Sequence, residues 1–181
     1  MLASVLAQTS EFTRPSIDWP AFAPEVILVA TLALVLLVDV FTEEDSRWTA
    51  SSIAGLGFLA ALVPVISLGL DNTVRGMFGG AYMVDDFALV LKALFLVAGY
   101  VTVLLSTNYI AEGDYYEGEY YILLVASVLG MTVMASARDL ITIFIALEML
   151  SIPAYLLAAW RKRTQTGIEA GMKYYLMGVF A

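Results

Sequence analysis

The sequence contains no cysteine and no histidine. The first absence excludes disulfides, thiolate metal sites and iron–sulfur ligation. The second removes the commonest ligand of zinc and haem. Basic residues are few, 9 Lys and Arg against 17 Asp and Glu, and a net charge of −8 argues against a nucleic-acid partner, which needs a basic patch. Charge of either sign is scarce: 14% of the 181 residues, against 61% that are hydrophobic. A soluble domain carries about 25% charged and roughly 45–50% apolar residues. This composition, with a mean hydropathy of +0.85, belongs to an integral membrane protein of about one domain.

What the chain has instead is long apolar runs. Full spans are expected at about 24–41, 48–70, 87–107, 120–136 and 140–160, and a sixth opens at about 168–181. Each full span is near the ~20 residues that cross a bilayer core. Pro24 suits a first helical turn, where its missing N–H costs nothing, so residues 1–23 are read as an N-terminal extramembrane segment and 24–181 as a transmembrane helix bundle. The N-terminus lacks a basic region and its apolar run is short, so no cleaved signal is expected. Trp19, Trp48 and Trp160 fall at span ends, where an amphipathic ring prefers the interface. The sixth run ends without a helix stop, and its fourteen residues make about 21 Å of helix against a ~30 Å core. The expectation is the front portion of a longer polytopic protein.

Arg47, Arg161, Lys162 and Arg163 lie on one side of these spans, and Arg14, Arg75 and Arg138 on the other. The only cluster, Arg161-Lys162-Arg163, abuts a helix end and assigns its side to the cytoplasm, with the N-terminus outside. The acidic residues from Glu112 to Glu119 do not overturn that, because acids count little in the rule. The glycine-rich RGMFGGAY at 75–82 lacks a P-loop lysine and is expected to be a flexible outer loop.

Charges inside the spans are the candidates for chemistry. ITIFIALEMLSIPAY (residues 141–155) is almost wholly apolar, yet Glu148 stands in its middle. It is about 13 Å from one end of its span and about 19 Å from the other, beyond the reach of a short side chain. An acid at that depth costs about 2.5–3.5 kcal/mol even on lenient insertion scales, and such residues commonly serve transport. Ser151 and Tyr155 follow at i+3 and i+7 on the same face, and Pro153 frees the carbonyl of Met149. The bland alternative is a protonated Glu that only bonds a neighbouring helix.

Lys173 lies at nearly the same depth on the next, antiparallel helix, about 4 Å different by helical rise. Gly167 and Gly171 form a G-x-x-x-G pair that permits close approach there. Its alternatives are an i−4 pair with Glu169 or snorkelling. Lys92, in VDDFALVLKALFL, lies about 9 Å inside its span. It is read equally as a snorkelling side chain and as part of a proton path. Asp39 is expected to reach the interface.

The run ARDLITIFIALEMLSIPAYLLAAW, followed by a basic loop and IEAGMKYYLMGVFA, resembles the fifth and sixth helices of NADH-quinone oxidoreductase subunit N. That family is an antiporter-like part of the membrane arm of bacterial respiratory complex I. VDDFALVLKALF and EGEYYILLVASVLGMTVMASARDL resemble its third and fourth helices. The resemblance covers about residues 84–181. It implies an all-α fold of about fourteen helices with inverted repeats, of which this chain holds about five and a half spans. It also implies that Glu148 and Lys173 belong to a proton path, with Lys92, Ser151 and Tyr155 as further candidates.

The resemblance further implies that NADH, flavin, iron–sulfur clusters and quinone are handled by partner subunits. No cofactor or metal is expected in this chain, whose partners would be the other complex I subunits and the lipid of the bacterial inner membrane. The chain would then be a subunit of an NADH:quinone oxidoreductase that performs no redox chemistry itself. The alternatives are a subunit of a multisubunit cation/proton antiporter and a structural membrane scaffold.

Overall fold

Asp18 starts the first helix. Its Oδ1 accepts from the Ala21 amide at 3.4 Å and its carbonyl from the Phe22 amide at 3.0 Å, satisfying donors that a helix start leaves open. In the computed structural model, which describes residues 17–41, 47–71, 73–112, 117–161 and 164–180, helix α1 therefore runs Trp19–Phe41. That is five residues earlier than the span expected from Pro24, which lies inside the helix. The side chains of Arg47 and Trp48, together with Arg14, Lys162, Arg163 and residues 113–116 of the acidic segment, fall outside the described residues.

Helix α2 spans Arg47–Asp71, α3 Asp86–Glu112, α4 Glu117–Ser136, α5 Leu140–Ala158 and α6 Gln165–Phe180. The expected apolar runs fall largely on these helices, five of which are long and apolar enough to cross a membrane. Helix α4 packs against α1, α2, α3 and α5, while α6 packs on α5. The core includes Leu28, Val35, Phe58, Leu96, Tyr121, Val125 and Val128. Val29, Leu56, Val63, Leu94, Leu105 and Phe144 face outward, the arrangement of a helix bundle whose solvent is hydrocarbon. Helix α5 keeps most of its surface outside this bundle, burying Ala146 and Pro153.

One expectation is corrected here. The glycine-rich segment at 75–82 is no irregular loop. It forms most of an antiparallel hairpin, β1 Arg75–Met77 and β2 Tyr82–Val84, joined by a 3₁₀ turn at Phe78–Gly80. Gly79 and Gly80 take φ values of 67° and 94°, which glycine adopts without a Cβ penalty. The hairpin is tied to the bundle. Tyr82 forms a bridge with Ala137, Arg75 pairs with Asp18 at 3.2 Å and with Asp71 at 3.5 Å, and Arg138 pairs with Asp85. Trp160 lies just past the end of α5, where it is buried with its ring edge-to-face with Tyr120 at 5.3 Å. Trp19, 64% exposed, keeps the expected position at a helix end.

Asp139 caps α5. Its Oδ1 accepts from the amides of Ile141 and Thr142 at 2.9 and 3.0 Å, and its Oδ2 from the Thr142 hydroxyl at 2.6 Å. The Thr142 hydroxyl, then the backbone amides, hold this carboxyl below the usual carboxylate range. A folded value below the unfolded one stabilises at neutral pH, and the contribution is lost as pH falls through the folded value. Asp139→Ala should fray the first turn of α5, lower the unfolding temperature at pH 7 and flatten its fall in acid. Asp139→Asn keeps a cap and should lose less at pH 7. Thermal unfolding of the detergent-solubilised complex as a function of pH measures both.

Candidate functional site

The middle of α5 lies hard against α4. A Cβ on Gly130 would stand 2.5 Å from the Leu150 nitrogen and 2.9 Å from its Cα, so only glycine admits the α5 backbone there. Pro153 donates no hydrogen bond to the preceding turn, and in that turn the Ser127 hydroxyl donates to the Leu150 carbonyl at 3.3 Å. Glu148 sits two residues before Leu150, half-buried. It makes no hydrogen bond or ion pair among the described residues. Ser151 and Tyr155 are also half-buried. The Tyr155 ring meets Tyr174 and Tyr175 of α6 edge-to-face at 4.9 and 5.7 Å.

Lys173 is placed differently from the Glu148 partner expected above. Its Nζ is 2.5 Å from Glu169 Oε1, one turn earlier on α6, and its side chain is 70% exposed. Among the described residues no ion pair joins it to Glu148. Of the G-x-x-x-G pair, Gly171 receives Ala159, the residue that caps the end of α5, and so marks the contact between the two helices, whereas Gly167 faces the turn around Arg161 and Thr164.

Lys92 does not snorkel. It is fully buried, with Nζ 2.9 Å from Glu25 Oε1 and donating to the Tyr82 hydroxyl at 2.9 Å. It also stands 5.0 Å from the centroid of the Tyr82 ring. Glu25 is buried too, and Oε2 has no hydrogen-bond partner among the described residues. Its Oε1 meets Lys92 as an ion pair rather than as an aligned hydrogen bond. Ser136, at the end of α4, faces the same phenol with its Oγ unpaired. Burial, then the Glu25 carboxylate, pushes the Tyr82 phenol up, so it stays protonated.

Glu25, Tyr82 and Ser136 were not candidates from the sequence. Glu25 reads as a first-turn acid when the span starts at Pro24. With α1 starting at Trp19 and α3 at Asp86, Glu25 and Lys92 each lie six residues in, about 9 Å deep. Matching an acid and a lysine at equal depth was the available signal. The described residues hold no group of three His, Cys, Asp or Glu suited to a metal.

Comparison with known proteins agrees with this architecture. The family described as NADH:quinone oxidoreductase/Mrp antiporter, TM, matches residues 137–181, the segment that carries Glu148 and Lys173. The NADH-quinone oxidoreductase subunit N of Chloroflexus aggregans is 36% identical over 169 residues, covering 93% of this chain and 34% of its own. The NAD(P)H-quinone oxidoreductase subunit 2 of Gloeobacter violaceus is 35% identical over 156 residues, covering 86% of this chain and 30% of its own. A chain in the structure of respiratory complex I from Thermus thermophilus with bound aureothin superposes with a TM-score of 0.72 at 29% identity, over 87% of this chain and 33% of that one. This chain thus spans about a third of the length of the relatives it matches. Its sequence over most of its length, and its helix bundle, place it in the family of NADH-quinone oxidoreductase subunit N.

Proposed function

We propose that the protein to which this chain belongs is a proton-translocating membrane subunit of NADH-quinone oxidoreductase, coupling electron transfer from NADH to quinone to proton pumping. The observation that carries the reading is Glu148, a half-buried carboxyl with no ion-pair partner among the described residues, in the middle of an apolar helix. Such a group is costly to keep unless it is used. A carboxyl in hydrocarbon favours its protonated form, and an approaching ammonium favours the carboxylate. Lys173, on the adjacent helix, is the ammonium in this reading. Bonded to Glu169 it leaves Glu148 to hold a proton; turned toward Glu148 it drives the proton off. Ser151, Tyr155 and the turn loosened by Pro153 offer polar groups to a water chain along the same face.

NADH, flavin, iron–sulfur clusters and quinone fall to partner subunits in this reading, and redox energy arrives through contacts with them. The N-terminus is then outside a bacterial cell membrane. The family description also spans the Mrp antiporters, so a cation/proton antiporter subunit is the competing function. Purification of the native complex through a tag on this subunit should recover flavin and iron–sulfur absorbance; a flavin-free assembly would favour the antiporter.

Lys173→Ala should lower NADH-driven proton uptake in vesicles, and Lys173→Arg should lower it less, since its charge persists on a different head group. Unchanged pumping by the Ala variant would assign Lys173 to the exposed pair with Glu169 alone.

A further inference from the structure

The Glu25–Lys92 pair is buried at the end of the bundle that the hairpin covers, and its polar demand is not met. Lys92 Nζ reaches Glu25 Oε1 and the Tyr82 hydroxyl, both at 2.9 Å, but Glu25 Oε2 and Ser136 Oγ end without a partner among the described residues. A pair kept only to join α1 to α3 would be expected to satisfy its remaining lone pairs, because each one left bare inside a protein is costly. Of the other charges at this end, Asp18, Asp71, Arg75, Asp85 and Arg138 are engaged with one another around the hairpin, Asp139 caps α5 and Asp86 is exposed, so none of them neutralises the pair. What remains is a carboxylate with one open oxygen, beside two hydroxyls, under a short hairpin whose Tyr82 closes the site.

We propose that Glu25, held by Lys92 against the Tyr82 hydroxyl, is a second proton-binding site of this chain, at the hairpin-covered end of the bundle. The role rests on the proton-transport reading above. A hydronium ion delivers its proton to Oε2: one O–H bond breaks on the hydronium, one forms on the carboxyl, and water leaves. The pair passes from zero net charge to a single positive charge, and release runs the same step backward. Lys92 stands beside the receiving carboxyl, its Nζ 2.9 Å from Oε1. Tyr82, kept protonated, anchors Lys92 without competing for the proton.

The test compares variants of the intact complex in vesicles. In Glu25→Leu/Lys92→Met both charges are replaced by apolar side chains of similar volume, a change that buried pairs of purely structural purpose tolerate. The expected result is an assembled complex whose proton uptake per NADH falls; uptake at the wild-type ratio overturns the proposal. Should the double variant not assemble, Glu25→Asp decides, because it keeps a carboxyl. The infrared carboxyl band that changes with turnover should shift in frequency if Glu25 takes up the proton, and an unshifted spectrum overturns the proposal. Glu148→Gln, measured beside them, separates the two readings. Pumping lost in the Glu148→Gln variant but intact in the Glu25 variants removes the second site alone, whereas pumping intact in all removes the proton role of the chain.

Discussion

Replacing Glu148 by Gln should leave the complex assembled and its proton pumping lower by about a hundredfold or more, the low end of what a positioned acid or base contributes. Gln keeps the volume that α5 presents beside α4, where Gly130 allows no rearrangement of the backbone at Leu150. It can also make hydrogen bonds to whatever lines the site. It removes an ionisable group from mid-membrane, which costs folding nothing. It cannot take up and release a proton. Glu148→Asp keeps the acid but retracts it by one methylene and should fall between wild type and the Gln variant. A native gel reads assembly, and NADH oxidation with an artificial electron acceptor reads the redox subunits; both should be normal. Loss of assembly in the Gln variant would instead assign Glu148 to bonding between helices.

The largest stability effect is expected at Lys92. Lys92→Met leaves the Glu25 carboxyl buried without its cation, and breaking a buried pair on one side costs about 3–5 kcal/mol. The Tyr82 hydroxyl loses its donor at the same time, loosening the hairpin from α3. The assembled fraction and the unfolding temperature should both drop sharply. Adding Glu25→Leu should restore most of the loss, because the uncompensated charge is then gone. Were the single variant as stable as wild type, the buried Glu25 carboxyl would not depend on Lys92 as its cation.

The helices were legible in the sequence because hydrocarbon demands about twenty apolar residues in a row, and the chain supplies five such runs. Glu148 was legible for the same reason, since a lone acid stands out against ITIFIALEML. Helix starts were harder. Pro24 has the chemistry of a first turn, but Asp18 caps the chain earlier, and that shift of five residues hid Glu25. The partner of Lys92 was therefore missed, because Glu25 matches its depth only once α1 starts at Trp19. The hairpin was missed because RGMFGGAY has the composition of a loop. Its order comes from contacts far along the chain, with Asp18, Ala137 and Lys92. Lys173 shows the opposite limit: equal depth makes contact with Glu148 geometrically allowed, but Glu169 on its own helix is nearer and takes the ammonium here.

The central claim is that Glu148 carries protons for an NADH-driven pump. The most direct measurement is the number of protons taken up per NADH oxidised by inverted membrane vesicles containing Glu148→Gln, beside wild type, under the same redox turnover. A lower ratio with the complex intact is the expected result. An unchanged ratio at full turnover would contradict the claim.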